Sequence, residues 1–218
     1  MLTIEKTVLP SPEQWEIIIE GMRNPMNSWD KSDSEVGDFN RYFYLGKADR
    51  QLMTNLAKGG AVHAKYRRMI PVFLTINAPL YWWKEFDTYK VGTVCNSCST
   101  MHKIHSKEFT LDDFSYEHLE ALKIDNTGIY EFRWPLEDVV KCLNMSRSMY
   151  LKTKDKKYWW QMIQLLPTSY NQKRTVMLNY EVLVNIYHSR KNHKLDEWHT
   201  FCEWIEGLPY SELITGEV

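Results

Sequence analysis

Two cysteines and two histidines lie close together in the segment YWWKEFDTYKVGTVCNSCSTMHKIH, which covers residues 81–105. Cys95, Cys98, His102 and His105 are of the types that bind zinc. Structural zinc sites normally join two separated pairs of ligands across a hairpin or a helix, whereas these pairs are nearly contiguous. The segment leaves open a zinc site, a C-x-x-C redox pair and two small core cysteines. We expect that the segment binds no metal and that Cys95 and Cys98 are small core residues.

The same segment is rich in groups that can hold a nucleotide. Hydroxyl, amide and ammonium groups recur on a predicted helix, on a glycine-containing turn and in the polar run that follows: Lys84, Tyr89, Lys90, Asn96, Ser97, Ser99 and Thr100. Such groups bind a phosphate, a ribose or the edge of a base. Ser99 and Thr100 are equally suited to cap a helix, so both roles stay open for them. The segment alone therefore only suggests a polar pocket.

Strands and helices are predicted to alternate in the first part of the chain. Residues 2–9 alternate like a half-buried strand, and Ser11, Pro12 and Gln14 predict a helix that begins with a capping box. Residues 24–45 are polar and rich in turn formers, which predicts a long ordered loop or flap.

A buried strand is predicted between two helices in the next part of the chain. A helix over residues 48–58 is stopped by Gly59 and Gly60, and the apolar residues 69–78 follow as a strand. Pro79 then begins another helix.

The remainder reads as mostly helical because apolar residues recur at three- and four-residue spacing. Helices are predicted at residues 111–123, 136–152, 157–166, 175–190 and 195–208, with residues 127–135 as a poorly defined connection. No linker or repeat interrupts the pattern. The sequence predicts one domain over residues 1–218, of the α/β (α+β) class, with a central sheet, flanking helices and a helical C-terminal third.

Composition excludes several classes of function. The 27 basic and 28 acidic residues give a net charge of −1, which argues against nucleic acid as a partner. No apolar run is long enough to span a bilayer and the N-terminus lacks signal-peptide features, so we expect no membrane partner and a cytoplasmic location. Four cysteines in a chain of 218 residues do not make a disulfide scaffold, so we expect free thiols.

Two long segments resemble the flavin-dependent thymidylate synthases. Residues 59–103, GGAVHAKYRRMIPVFLTINAPLYWWKEFDTYKVGTVCNSCSTMHK, follow the order of that family's signature region, from a turn with His63 through a strand, a helix and a turn to an Asn-x-x-Ser run. Residues 165–205 resemble its Pro-containing loop, its Asn-bearing helix that ends in an arginine, here Arg190, and an amphipathic helix. The resemblance covers most of the chain. It implies that His63 either touches a cofactor or is a hydrogen-bonded structural histidine.

The resemblance also shows where cations are missing. The Gln and the Arg-His-Arg of the family's signature align with Lys84 and with residues 87–89, Asp-Thr-Tyr. Arg190 matches the family's arginine, but the substrate-binding arginine of the last helix falls near Thr200. Two basic residues that would face flavin and nucleotide phosphates are therefore replaced.

The signature's short loop is partly kept. Asn96 and Ser99 occupy the positions of its Asn and second Ser, whereas its Glu becomes Ser97 and its last Arg becomes Met101. Nearby cations could substitute in part, although lysine offers a point charge where arginine offers a bidentate fork. They are Arg67, Arg68, Lys90 and Lys103.

The resemblance implies two functions. We expect a divergent relative, without the standard synthase activity, that binds a nucleotide-like ligand or a protein partner. The alternative is an active enzyme that methylates or otherwise modifies a pyrimidine deoxynucleotide, dUMP to dTMP for example, with FAD, NADPH and a folate donor. It would use Lys84, Lys90, Asn96, Ser99 and Arg190. By analogy with the family, the chain would form a homo-oligomer, a tetramer.

Other residues that could carry chemistry are expected to be structural. The pairs Trp82–Trp83 and Trp159–Trp160 could stack on bases, but paired tryptophans on helices more often belong to the core or to a subunit interface. Three carboxylates on amphipathic helices are expected to face solvent: Glu181, Asp196 and Glu197.

Overall fold

A computed structural model describes residues 1–37, 41–124 and 128–216 of the chain. These residues divide into two compact units. The first unit contains residues 1–3, 76–88 and 96–174, and the second contains residues 4–75, 89–95 and those from 175 onward.

Eight strands and eight helices make up the described residues. In chain order they are β1 (Thr3–Val8), α1 (Pro12–Arg23), β2 (Glu35–Val36), β3 (Phe43–Tyr44), α2 (Lys47–Lys58), β4 (Pro71–Pro79), α3 (Leu80–Phe86), β5 (Val94–Ser97), β6 (Ala121–Ile124), β7 (Gly128–Glu131), α4 (Arg133–Thr153), α5 (Lys156–Leu165), β8 (Asn171–Asn179), α6 (Tyr180–Arg190), α7 (Asp196–Glu206) and α8 (Glu212–Thr215). This mixture confirms the predicted α/β class. None of the helices in the described part of the chain is long and apolar enough to cross a membrane.

The main sheet has four strands in the order β1-β4-β8-β5. Its two long strands, β4 and β8, run antiparallel, and each leads directly into a helix. At one end of the pair the amide of Tyr180 donates to the carbonyl of Ile70 (3.2 Å), and at the other the amide of Leu80 donates to the carbonyl of Tyr170 (3.0 Å). Two further antiparallel pairs are β2 with β3 and β6 with β7.

The second unit is built around aromatic packing against α1. The predicted capping box is confirmed, because the Ser11 hydroxyl accepts from the amide of Gln14 (3.3 Å) and the Gln14 side chain accepts from the amide of Ser11 (2.8 Å). The capped helix carries Trp15, which stacks on Phe43 with ring centroids 5.3 Å apart. The edge of Tyr180 also contacts Trp15. A local cap thus positions the residue that anchors the core of this unit.

The first unit has its own apolar core, with α4 and α5 at its centre. Its buried members are Ile104, Phe109, Phe114, Leu136, Leu143 and Met162. Trp82 and Trp83 are also fully buried, and both rings pack against Phe86. The core role predicted for this pair is confirmed. Of the other pair, Trp160 is 45% exposed.

Three predictions of secondary structure are wrong because strand pairing decides the outcome. The helix predicted at residues 111–123 is one turn of 3-10 helix, Leu111–Asp113, followed further along by β6. The poorly defined connection predicted at residues 127–135 contains the strand β7, residues 128–131, which pairs with β6. Thr127 of that prediction lies outside the described residues. Residues 175–179 belong to β8, since a strand between two neighbours can be apolar on both faces and then lacks a clear alternation. The helix predicted there begins only at Tyr180.

The predicted loop at residues 24–45 contains two short 3-10 turns, Asn24–Met26 and Trp29–Lys31, and the β2–β3 hairpin; residues 38–40 of that prediction lie outside the described part. β1 is a strand as predicted, but of its side chains only Ile4 is half-buried. Of the apolar residues in the predicted range 2–9, Leu2 is buried and Ile4 and Leu9 are half-buried, whereas Val8 is exposed, so the predicted half-burial is confirmed only in part.

Candidate functional site

The eight residues expected from the sequence to bind a nucleotide divide between the two units. Lys84, Asn96, Ser97 and Ser99 belong to the first unit, whereas His63, Tyr89, Lys90 and Arg190 belong to the second. The two groups are therefore described separately.

Tyr89 and Arg190 lie together in the second unit although 101 residues separate them. The Nε of Arg190 donates to the hydroxyl of Tyr89 (2.9 Å), and the guanidinium lies 4.8 Å from the ring centroid of Trp198. Arg190 is the last residue of α6, and Trp198 lies in the first half of α7. The aromatic rings and the hydroxyl hold the guanidinium in one place. Lys90, the next residue after Tyr89, is exposed.

The turn after Lys90 contains a glycine that its neighbours require. Gly92 has φ +80°, and an added Cβ would lie 3.1 Å from a methyl group of Val182 and 3.2 Å from the side-chain nitrogen of Asn179. Asn179 is the N-cap of α6 and accepts from the amide of Val182 (3.1 Å). The turn thus packs closely against the start of the helix that carries Arg190.

His63 lies in the turn that follows α2. Its amide donates to the carbonyl of Gly60 (2.9 Å), and its side chain is exposed. An added Cβ on Gly59 would lie 3.1 Å from the His63 ring, so the ring covers the end of α2.

In the first unit, the hydroxyl of Ser99 serves the backbone. It accepts from the amides of Met101 (3.3 Å) and Lys103 (3.4 Å) and so holds a turn; no helix begins here, and the helix-capping role that the sequence left open is wrong for Ser99. Asn96 and Ser97 are exposed on β5, and Lys84 is exposed on α3.

The cysteines of the same segment are not core residues. Cys95 and Cys98 are both exposed free thiols, so the expected burial is wrong. β5, the strand that carries Cys95, is an edge strand of the main sheet, and all four of its residues are exposed. Within residues 1–37, 41–124 and 128–216, no group of three or more His, Cys, Asp or Glu could hold a metal ion.

A charged cavity of about 390 Å³ lies wholly within the second unit. Its wall is formed by the end of α2 and the turn after it, by Arg67, by one face of α6 and by α8. The polar side chains in this wall are Thr54, Lys58, Arg67, Glu181, Asn185, His188 and Glu212. We call it the Arg67–Glu181 cavity.

Arg67 and Glu181 form an incomplete ion pair in this cavity. Arg67 is only 8% exposed and the Glu181 side chain 14%, but their nearest nitrogen and oxygen are 4.0 Å apart. The Nε of Arg67 and the Oε2 of Glu181 form no hydrogen bond within the described part of the chain. A buried polar atom without a partner costs about 1–3 kcal/mol, and two residues of the cavity wall each contain one such atom, a donor in Arg67 and an acceptor in Glu181.

The groups around this pair are held in place by ordinary contacts. The Tyr66 hydroxyl donates to the carbonyl of Met53 (2.9 Å), and burial raises the pKa of Tyr66 to about 12, so the phenol beside Arg67 stays neutral. Glu212 accepts from the Nε of Arg50 (2.7 Å), which connects α8 to α2. Among the described charged residues of the wall, Arg67 and Glu181 are thus the two with a buried side-chain atom, Nε and Oε2, that lacks a hydrogen bond.

The sequence missed this pair. Glu181 was expected to face solvent, and that prediction is wrong, because α6 is buried at Tyr180, Val182 and Leu183 on either side of it. The signal in the sequence was a carboxylate inside an apolar run at the start of a helix. Arg67 was expected only as a possible replacement cation.

A larger groove of about 520 Å³ in the first unit has a different character. It is lined by residues of α4 and α5, none of which is charged: Cys142, Met145, Ser146, Met149, Tyr158, Gln161, Gln164 and Leu165. The groove offers hydroxyl and amide groups but no charge, whereas the wall of the smaller cavity contains charged residues with buried atoms that lack hydrogen bonds, so the smaller cavity is the better candidate.

Comparisons with known proteins give a match in structure but not in sequence. No protein-family model matches the chain, and no curated protein matches it. A flavin-dependent thymidylate synthase of Helicobacter pylori, solved with FAD and dUMP, superposes with a TM-score of 0.63 over 99% of this chain and 97% of its own, at 15% identity. A UMP/dUMP methylase of Streptomyces cacaoi, PolB, solved with 5-Br dUMP, superposes with a TM-score of 0.58 over 99% and 94%, at 13% identity.

The chain has the fold of the flavin-dependent thymidylate synthases. The resemblance predicted from the order of elements is therefore confirmed for the fold over the whole chain. At identities of 13–16%, the comparison establishes the fold but not the role of any residue. The binding residues that the resemblance implies therefore stay predictions.

Proposed function

We propose that this chain binds a nucleotide-like ligand, and that the Arg67–Glu181 cavity receives the ring system of that ligand. The observation that carries the proposal is the pair of buried atoms, one donor and one acceptor, without hydrogen bonds. The edge of a nucleobase presents an acceptor beside a donor, and so does the pyrimidine portion of a flavin. A ring placed in the cavity would supply the missing partner to both atoms.

The fold supports this class of ligand. The two similar enzymes named above were solved with dUMP and FAD in one case and with 5-Br dUMP in the other. A volume of about 390 Å³ suits a ring system rather than a whole dinucleotide. For FAD, Arg67 and Glu181 would hold the ring, and a bound reduced flavin would supply a hydride.

We further propose that the chain lacks the standard synthase activity. The positions that the resemblance assigns to cations hold other residues, and two of these are engaged with arginines of the chain itself. Asp87 accepts from Nη1 of Arg174 (2.8 Å), and Tyr89 accepts from Arg190. At these positions a carboxylate repels the negative charge of phosphates and of a reacting pyrimidine, and a neutral phenol offers one hydrogen bond but no positive charge.

An active flavoenzyme is the second candidate, and the arrangement at Arg190 favours it. The guanidinium is oriented by Tyr89 and Trp198, as a residue that binds an anion or a carbonyl needs to be. In this case FAD, NADPH and a folate donor would be required, with Lys84, Lys90, Asn96 and Ser99 as further binding residues. A protein partner, tetrameric assembly, a single domain and a cytoplasmic location remain predictions for either candidate.

The test is a binding measurement on the purified chain. We would incubate the protein with FAD, remove unbound flavin by gel filtration and record the flavin absorbance, and titrate dUMP by calorimetry in parallel. The proposal expects at least one of the two to bind, and Glu181→Gln and Arg67→Gln to weaken binding by about tenfold or more. Glu203→Gln, an exposed carboxamide substitution on α7, is the matched control and should change nothing.

The outcomes separate the candidates. Binding without formation of dTMP from dUMP, FAD, NADPH and methylene-tetrahydrofolate supports a divergent protein. Retention of about one flavin per chain together with dTMP formation establishes the active enzyme instead. If neither FAD nor dUMP binds, the nucleotide proposal is wrong and a protein partner becomes the hypothesis to test.

A further inference from the structure

One corner of the first unit is strongly basic although the chain as a whole is slightly acidic. Residues 101–107 and 147–157 contain seven lysines and arginines and a single carboxylate, a net charge of +6 in a chain of net charge −1. The basic residues are Lys103, Lys107, Arg147, Lys152, Lys154, Lys156 and Lys157. We call these two segments the basic corner.

Two of these seven cations are neutralised, and three of the remaining five surround one histidine. Lys107 pairs with Asp113, and Lys157 pairs with Asp155 (3.2 Å). Within the described ranges, which omit residues 38–40, 125–127 and 217–218, Lys103, Arg147 and Lys154 form no ion pair with a carboxylate. Like charges without counter-charges repel one another, so a fold gains nothing from this arrangement by itself.

The segment that carries Lys103 is fastened to α4 and α5 by side chains. Nε of Arg147 donates to the carbonyl of His105 (3.0 Å), and Nε1 of Trp159 donates to the carbonyl of Met101 (3.0 Å). The Ser99 hydroxyl holds the turn at the start of the same segment by accepting from the amides of Met101 and Lys103. The backbone that carries Lys103 is therefore held against α4 and α5 before any ligand arrives.

His105 reports on the electrostatic field at this corner. Its ring packs against Tyr150 with centroids 4.9 Å apart, and the ammonium group of Lys154 lies 5.8 Å from the same tyrosine ring. Burial and the charges of Lys103, Lys154 and Arg147 lower the pKa of His105. Three cations without carboxylate partners, Lys103, Lys154 and Arg147, thus act on one imidazole.

We propose that the basic corner binds a phosphoryl group between Arg147, Lys103 and Lys154. Arg147 uses only its Nε for His105, so both of its Nη groups remain for two oxygens of a phosphate. The two lysines add mobile point charges. The same chemistry occurs in a small polyphosphate and in the backbone of a single-stranded nucleic acid, and Trp160, 45% exposed on α5, lies one residue beyond Trp159.

The test uses two probes on the full chain at low ionic strength. Inorganic pyrophosphate represents a small polyphosphate, and a ten-nucleotide thymidine strand represents nucleic acid; binding is followed by calorimetry and by the NMR signals of the His105 imidazole. We expect at least one probe to bind and to raise the pKa of His105, since an anion stabilises the imidazolium. Binding of the strand alone assigns the site to nucleic acid, and binding of pyrophosphate assigns it to small polyphosphates.

Variants decide whether this site or net charge alone is responsible. Arg147→Gln should weaken binding by about tenfold or more, and the double variant Lys103→Gln/Lys154→Gln should do the same without disturbing the bond to His105. Lys141→Gln is the matched control, because it removes one charge from α4 at a lysine that pairs with Asp138. Equal weakening by Lys141→Gln, or no binding of either probe, would overturn the proposal.

Discussion

The second unit contains two buried arginine–carboxylate pairs that differ in how completely they are hydrogen-bonded. In the pair Arg23–Asp49, the two side chains are almost inaccessible, with Nε and Oδ1 2.6 Å apart. In the pair Arg67–Glu181, burial is similar but the separation is 4.0 Å. The same two kinds of side chain thus form a close ion pair in one place and a long one with unsatisfied atoms in the other.

Every oxygen of Asp49 is used. Oδ1 accepts from Arg23, and Oδ2 accepts from the hydroxyls of Ser32 (2.8 Å) and Ser34 (2.7 Å) and from the amides of Asp33 and Ser34. Arg23 also donates to the carbonyls of Ser28 and Lys31. This pair therefore organises the loop between α1 and α2 and has no capacity left for a ligand.

The difference gives a criterion for separating structural from functional charges. A buried charge is strongly disfavoured unless its hydrogen bonds are made, so a structural pair is saturated. Unsatisfied atoms facing a cavity indicate a partner that is not part of the chain. Substitutions at the first pair should change stability, and those at the second should change binding.

Removal of the Asp49 carboxylate should have the largest effect. Asp49→Ala leaves Arg23 buried without its partner and deprives four further donors of an acceptor. We expect the free energy of unfolding to fall by about 3–5 kcal/mol, measured by urea denaturation. Asp30→Ala, at an exposed position of the same loop, should cost less than about 0.5 kcal/mol. Equal losses in the two variants would contradict a central role for Asp49.

The contribution of Asp49 should also depend on pH. Burial by itself would raise its pKa, but hydrogen bonds from Ser34, Ser32 and Arg23 outweigh burial, and the pKa lies below 3.8. A carboxylate with a lowered pKa stabilises the fold above its unfolded pKa of about 3.9, and this stabilisation is lost as the pH falls through the folded value. The difference in unfolding free energy between the parent and Asp49→Ala should hence be constant from pH 7 to 5 and shrink below pH 4. A difference that is unchanged at pH 3 would show that the carboxylate's charge is not its source.

Glu181→Gln should weaken ligand binding and should lower stability less than Asp49→Ala does. The Oε2 atom makes no hydrogen bond within the described residues, so its loss removes little beyond a long ion pair and a charge at the start of α6. Glutamine keeps an oxygen that can accept, but Arg67 loses its nearest counter-charge, so we expect the unfolding free energy to fall by about 1–2 kcal/mol, less than for Asp49→Ala. Binding of dUMP or FAD should weaken by about tenfold. A loss of stability as large as that of Asp49→Ala, measured in the same urea series, would remove the distinction between the two pairs.

Local signals made much of the fold predictable. Three signals were each carried by a few neighbouring residues: the capping box at Ser11, the stop at Gly59 and the apolar run of β4. All three are confirmed. β8 was missed because it is defined by neighbours distant in the chain, whereas β6 was missed although its partner β7 begins only four residues after it ends. No local pattern at residues 175–179 distinguishes a central strand from the first turns of a helix.

The same limit applies to the candidate site. Tyr89 and Arg190 were both expected as binding residues, and they do lie together, although their role in binding stays a prediction. Glu181 was expected to face solvent because a carboxylate on an amphipathic helix usually does. Its burial depends on the packing of the turn that carries Arg67 against α6, a contact across 114 residues of chain that residue types alone do not encode.

The smallest effect is expected at Ser99, a neutral residue to which the same distinction between satisfied and unsatisfied groups applies. The Ser99 hydroxyl already accepts from two amides, so saturation classifies it as structural even though the family resemblance assigns it to the site. Ser99→Ala should lower the unfolding free energy by about 0.5–1 kcal/mol and leave the affinity for dUMP and FAD unchanged. Asn96→Ala on the exposed strand β5 is the comparison, with an expected loss below about 0.5 kcal/mol. Weaker binding without loss of stability in Ser99→Ala would show that a saturated group can still bind the ligand, because a hydroxyl oxygen in a turn keeps its own proton to donate.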